Sequence, residues 1–361
     1  MKITRLQTKL VQVPFDPPID LGVMALRTSG LVLVFLETDQ GIAGEGVVFS
    51  FNGQRLSVLD EMVRSFEPLL VGMPLEMSGS FTSRAWKDLR NFGRAGISVQ
   101  ALASVECAMW DLRAKFVDLN VAHMLGMCRT AVPVYHSSGL WISLSPDQLQ
   151  RAAADHVSHG FRAMKMRLIG SIAKDVERVR LVRQAIGPEI ALMADANQKL
   201  TASEAIRLGR LLEEFNLTWL EEPVSPYDHG GEAEVAAALD TPIASGESVY
   251  TSKGVLELLN CRSCDVLMPD LLRMGGPAEF LKAANLAEAF DTPVSSHLYS
   301  EMSLSLMSTI PNATFVEYMP WISPIYKEQI VLNEQGHATV PDRPGWGYAF
   351  DPKAVEKYSK A

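Results

Sequence analysis

The sequence predicts an α/β fold, a (β/α)8 barrel preceded by a separate α+β unit. Two observations carry that expectation. From about residue 130, short β-rich runs alternate with helical patterns over ~190 residues, and each of the later runs ends in a polar or ionisable residue. The first ~125 residues lack this rhythm and read as three strands followed by longer helices.

In chain order, "ITRLQTKLVQVPF", "GLVLVFLETD" and "GIAGEGVVFSF" read as strands, the last two joined by a tight turn at Asp39-Gln40-Gly41. In "ISVQALASVECAMWDLRAKFVD", Ala101, Val105, Ala108, Met109 and Leu112 recur at helical spacing. The barrel strands are "VPVYHSS", "RAMKMRL", "IALMADAN", "TWLEEP", "PIASGE", "DVLMPD", "PVSSH" and "FVEYM". Amphipathic helices such as "SEAIRLGRLLEEF" and "PAEFLKAANLAEAF" fill most of the gaps. No G-x-G-x-x-G follows any of these strands, which removes dinucleotide binding as the main alternative. From Trp321 the chain is rich in Pro and Gly and is expected to pack back on the N-terminal unit.

Composition narrows the function classes. The 361 residues, 47% of them hydrophobic, supply ample material for a core. A net charge of −9 argues against nucleic acid or an anionic membrane as partner. "MKITRLQTKLVQVPF" has no apolar signal core, and no apolar run approaches the ~20 residues of a membrane span. A soluble, cytoplasmic protein is expected. The 4 cysteines make no disulfide framework, and the C-x-x-C of Cys261 and Cys264 lacks a second pair at zinc spacing, so they read as structural thiols.

Active-site groups of a barrel sit at the C-terminal ends of its strands. Here those positions hold Lys165 and Arg167, Asp195 and Asn197, Glu221, Glu247, Asp270, His297 and Glu317. From Asp195 onward the intervals are 26, 26, 23, 27 and 20 residues, which amounts to a ring of charge around one mouth. Asp195, Glu221 and Glu247, on successive strands, suit a hard divalent cation such as Mg²⁺. Zinc is disfavoured, because only His297 offers nitrogen. Without a cation the three carboxylates would raise one another's pKa. Asp270 beside His297 would fix the imidazole tautomer and make a general base poised near neutral pH. Glu317, its pKa raised by its neighbours, would donate a hydrogen bond. In "GFRAMKMRLIG" strand alternation puts Met164 and Met166 on one face and Lys165 and Arg167 on the cavity face. The pair reads as an anion clamp in which the guanidinium favours the neutral amine of Lys165.

These motifs resemble the enolase superfamily and, within it, the mandelate racemase group. The resemblance runs from "ALASVECAMWDL" through K-x-R at Lys165, "DANQ", "WLEEP", "SGES", "MPDLLRMGG" and "SSH" to "FVEYM". It implies a modified (β/α)7β TIM barrel over residues 126–320. An N-terminal α+β capping domain (1–125) would be completed by the C-terminal segment (321–361). It also implies one Mg²⁺ per subunit on Asp195, Glu221 and Glu247. The shared chemistry is abstraction of the proton α to a carboxylate by the Asp270–His297 dyad, giving an enediolate held by the metal.

One departure shapes the functional expectation. The group usually carries K-x-K, with the second lysine as a base facing His297, whereas here that position is Arg167, a poor proton acceptor. Racemisation needs two bases. β-Elimination needs one base and one acid, which a dyad supplies in turn. The expectation is dehydration of a sugar acid, an aldonate or aldarate, to a keto acid. Lys165, His297, Asp270 and Glu317 would be catalytic, and Arg167, Asn197, Ser137 and Arg27 would bind substrate. Should Lys165 fill the missing role, the alternative is a racemase, epimerase or cycloisomerase of a 2-hydroxy acid or sugar-acid lactone. From another class stands a non-catalytic binding protein on the same fold, against which the intact ring counts.

The loop "DPPIDLGVMALRTSG" is expected to close over the mouth, with Arg27 meeting a distal carboxylate or hydroxyl. "YHSSGLW", with Tyr135, His136 and Ser137, is expected to add substrate contacts. His156 and His159, at H-x-x-H spacing on a helix away from the mouth, read as solvated. The expected partner is a small-molecule carboxylate, and the relatives imply a homo-oligomer, dimer to octamer.

Overall fold

The computed structural model describes residues 1–20 and 24–359. Strands β1 (Ile3–Asp20), β2 (Ala25–Thr38) and β3 (Ala43–Phe51) form an antiparallel sheet in that order. The helix Ile97–Phe116 lies against β3 at a distance only glycine permits. A Cβ on Gly44 or Gly46 would collide with the carbonyls of Ala108 and Ser104. All five apolar residues that mark the helix in the sequence are buried. So are nine of its other fifteen residues, because the cap sheet covers one side and the turn after Asp270 covers another. In that turn Gly276 (φ +108) lies directly under the Glu106 carboxyl, where no Cβ fits.

The barrel strands are β4 (Ala131–His136), β5 (Ala163–Arg167), β6 (Ala191–Asp195), β7 (Trp219–Glu221), β8 (Ile243–Ser245), β9 (Val266–Leu267) and β10 (Val316–Tyr318). They run parallel in the order β10-β4-β5-β6-β7-β8-β9. The expected strand "PVSSH" is present only as bridges, Val294 to Leu267 and to Ala313, and His297 to Asp270. Its backbone still bonds both neighbours, Ser295 N to Leu267 O (2.9 Å) and Ser296 N to Phe315 O (3.0 Å), and so closes the ring between β9 and β10. Pro293 removes a donor, which shortens the pairing. Seven helices connect the eight segments: Pro146–Ser158, Ile172–Ile186, Ala202–Leu212, His229–Ala238, Thr251–Cys261, Pro277–Ala289 and Ser300–Met307. The architecture is therefore (β/α)7β.

Alternation along the strands sorts the side chains. Tyr135, Met193, Trp219 and Met268 fill the barrel interior, while Met164, Met166, Leu192 and Leu220 pack outward under the helices. The C-terminal segment adds β11 (His337–Thr339) antiparallel to β4. It then reaches the cap, with Trp346 N donating to Asp111 Oδ1 (2.9 Å) and Phe350 N to Glu45 Oε2 (3.0 Å). All of Cys107, Cys128, Cys261 and Cys264 are free thiols. Among the described residues no helix is long and apolar enough to cross a membrane.

Candidate active site

A cavity of about 420 Å³ lies between the cap and the C-terminal ends of the barrel strands. Arg167, Asn197, Glu247, Asp270, Arg273 and His297 line its barrel side. Strand register sets the floor: Arg167, Asp195 and Glu221 are paired side by side on β5, β6 and β7. Arg167 contacts Asp195, whose carboxylate also accepts from the Asn197 backbone N (2.7 Å) and Nδ2 (3.2 Å). Lys165, one pleat lower, is 1% exposed and does not line the cavity. Its ammonium contacts Glu221, sits 3.0 Å from Glu317 and 3.8 Å from Asp195. The second Glu221 oxygen accepts from Trp219 Nε1 at 3.0 Å.

His297 and Asp270 form the expected dyad, Nδ1 to Oδ2 at 2.8 Å. The other Asp270 oxygen accepts from the backbone N–H groups of Leu272 and Arg273, each at 2.9 Å, so the carboxylate is fixed on both sides. His297 Nε2 lies 3.2 Å from Glu247. Burial alone would push this imidazole down. Glu247, then Glu317 and Asp270, outweigh it and hold the pKa at about 9.

The electrostatics correct two expectations. His297 is held above neutral pH by its carboxylate neighbours, not poised near it. Glu317 is not pushed up to become a donor. Burial favours its neutral form, but Lys165 and His297 hold the carboxyl well below the usual carboxylate range. Burial does raise Glu221, with Lys165 opposing it only in part.

Other expected residues fall in different places. Asn197 lines the cavity. Ser137 is buried beside the Glu317 carboxylate, which its hydroxyl helps to keep ionised. Arg27 is exposed on β2 and does not line the cavity. Residues 21–23 of the expected mouth loop lie outside the described residues. Tyr135 is wholly buried in the barrel interior against Trp219. His156 is not solvated but buried, its ring stacked 3.8 Å from that of His136, while His159 is exposed. Burial, and then the facing His156, push His136 down to about 3.

The cavity also holds residues the sequence reading did not assign. Arg273 donates to the Glu247 carbonyl (2.7 Å), and Lys199 to that of Leu168 (2.8 Å). Arg55 enters from the cap. Arg273 was signalled by its place three residues after Asp270; Arg55 had no such signal.

Among the described residues no group of three or more His, Cys, Asp or Glu side chains is arranged to hold a metal ion. Basic groups lie on the carboxylates instead, Arg167 on Asp195 and Lys165 on Glu221. The donor chemistry of Asp195, Glu221 and Glu247 nevertheless fits Mg²⁺: all oxygen, on successive strands, at the mouth of the barrel.

A capped (β/α)7β barrel with a carboxylate floor and an Asp–His dyad defines a site for acid–base chemistry on an anion. The chain belongs to the mandelate racemase / muconate lactonizing enzyme group of the enolase superfamily. The family model described as "Mandelate racemase / muconate lactonizing enzyme, N-terminal domain" matches residues 4–126, and that described as "Enolase C-terminal domain-like" matches 148–354. The chain is 31% identical to L-talarate/galactarate dehydratase of Salmonella typhimurium, over 98% of this chain and 90% of that protein. It is 30% identical to 3,6-anhydro-alpha-L-galactonate cycloisomerase of Streptomyces coelicolor, over 97% of each. The crystal structure of L-talarate dehydratase from Polaromonas sp. JS666, complexed with Mg and L-glucarate, superposes with a TM-score of 0.91 at 31% identity, covering 100% of this chain and 98% of that one.

Proposed function

We propose that this protein is a Mg²⁺-dependent sugar-acid dehydratase, with Asp195, Glu221 and Glu247 holding the ion. One observation carries the reading. The cavity meets a single imidazole oriented by a carboxylate, His297 with Asp270, and at the position of a second base it meets the guanidinium of Arg167. Lys165 is engaged below the floor by Glu221 and Glu317. Its role in this reading is to hold Glu317 ionised and to oppose in part the upward push of burial on Glu221. Mg²⁺, when bound, supplies positive charge to the substrate carboxylate and makes its α proton more acidic.

Proton transfer belongs to His297. The Asp270 contact at Nδ1 leaves Nε2 as the working nitrogen, and it takes the α proton once Glu247 no longer favours the imidazolium. The C–H pair becomes the new C2–C3 double bond as the β hydroxide leaves. His297 returns its proton to that oxygen, giving water and an enol that tautomerises to the 2-keto-3-deoxy acid. Arg167 and Asn197 flank the anionic end of the substrate. Ser137 completes the set carried from the sequence, and Arg27 acts in it only if the loop brings it inward.

A second reading, racemisation or epimerisation, draws support from Lys199, an amine in the cavity wall whose pKa burial and Arg167 lower. Incubation of aldonates and aldarates with Mg²⁺, read by semicarbazide absorbance, separates the two: keto acid supports dehydration, and inversion without keto acid supports the second. The same reading divides the chain near residues 125 and 320 and makes it a cytoplasmic homo-oligomer. Light scattering on a sizing column checks the assembly, and a mass near 39.7 kDa counts against it.

A further inference from the structure

We infer that the substrate is a dicarboxylate, an aldarate, and that Arg55 of the cap binds its distal carboxylate. This rests on the dehydratase reading and deepens it. The two walls of the cavity differ in charge. The barrel wall carries every group that can meet the reacting carboxylate. The cap wall is apolar at Phe49, Phe51, Leu59 and Ile97, and among the described residues that line it Arg55 is the one ionisable group. On the barrel side, Arg167 is engaged by Asp195, Arg273 by Glu247 and Lys199 by a carbonyl. Arg55 has no carboxylate or carbonyl partner among the described residues, so it is the cation available to a ligand.

The backbone at Arg55 adds an independent observation. It sits at φ 55, ψ 26, the left-handed region that side chains other than Gly and Asn seldom adopt, and heads the helix Leu56–Arg64 without capping it through its side chain. Asn or Gly would adopt this conformation more readily, so local folding does not call for an arginine. The chemistry that uses one is a planar anion at the far end of the substrate, met by two parallel N–H···O bonds. Amides from Gln54 and Gln100 on the same wall suit the hydroxyls between the two ends.

The test compares galactarate with galactonate and glucarate with gluconate, with Mg²⁺, in the wild type, Arg55→Asn and Arg55→Lys. Asn removes the charge without new backbone strain. The expected result is a wild-type kcat/KM that favours the diacid, and a diacid-to-monoacid ratio about 10–100-fold lower in Arg55→Asn, mainly through KM, with partial recovery in Arg55→Lys. A wild type that dehydrates only the monoacids, or an unchanged ratio in Arg55→Asn, overturns the inference and leaves the dehydratase reading standing. Keto acid from none of the four counts against the dehydratase reading itself. Calorimetry of galactarate and galactonate binding with Mg²⁺ then decides Arg55: diacid preference lost in Arg55→Asn supports it, and equal binding overturns it.

Discussion

Glu317 and Glu106 are both buried carboxyls, and they are driven in opposite directions. Glu317, on β10, faces Lys165 and His297 and is held well below the usual range. Glu106, on the helix between cap and barrel, has an oxygen with no hydrogen-bond partner among the described residues. Burial, and then the neighbouring Glu279, push it up to about 8. Burial penalises charge in both places, so it is the partners that decide. At the barrel mouth, Glu317, Glu247 and Asp270 are kept ionised by the basic groups that face them, whereas Glu221 is still raised by burial. The seam behind it is built to keep a carboxyl neutral.

The contrast can be broken from either side. The largest effect is expected at the dyad: His297→Asn should lower turnover by about 10²–10⁴-fold, the usual contribution of a general base. Mg²⁺ affinity by calorimetry should be preserved, and substantial residual turnover would remove the dyad as the base. Asp195→Asn takes a carboxylate from the floor and should weaken Mg²⁺ by at least ~10–100-fold, the loss typical of even an outer-shell partner. Unchanged affinity in the same titration would refute that ligand. Lys165→Met leaves Glu221 and Glu317 buried beside one another without their ammonium. Removing one partner of a buried pair costs about 3–5 kcal/mol, which urea unfolding at pH 7 would register.

The smallest effect sharpens the other side of the comparison. The folded-state pKa of Glu106, about 8, lies above the ordinary carboxyl value of 4.5. Its contribution to stability is therefore complete below about pH 4.5 and is lost as pH rises towards 8. Glu106→Gln mimics the neutral form, so urea midpoints should diverge in its favour between pH 5.5 and 8. Parallel curves for wild type and variant would show that Glu106 is ionised in the seam.

Much of this was legible in the chain because a parallel barrel repeats one rule. Each strand ends in a polar residue at one end of the barrel, so the strand pattern brings out Asp195, Glu221, Glu247, Asp270 and His297, the last three of which line the cavity. What the sequence left out depends on direction and on distant contacts. The expectation that Glu317 would be raised counted its carboxylate neighbours; Lys165, pointing beneath the floor rather than into the cavity, reverses the outcome. His156 reads as solvated because its helix lies away from the mouth, but His136 at the end of β4 offers it a ring to stack on. Arg27 belongs to the expected mouth loop in the sequence, but it stands exposed on β2. Arg55 lines the cavity because the cap folds over the barrel, which no local pattern records.

The measurement that tests the central claim most directly is turnover in D₂O with Mg²⁺, using whichever sugar acid is accepted, followed by proton NMR. A one-base dehydratase predicts a 2-keto-3-deoxy acid bearing one deuterium at C3, formed by the wild type and not by His297→Asn. Recovered acid inverted at C2 and deuterated there, with no keto acid, would contradict the account and show that a second base faces His297.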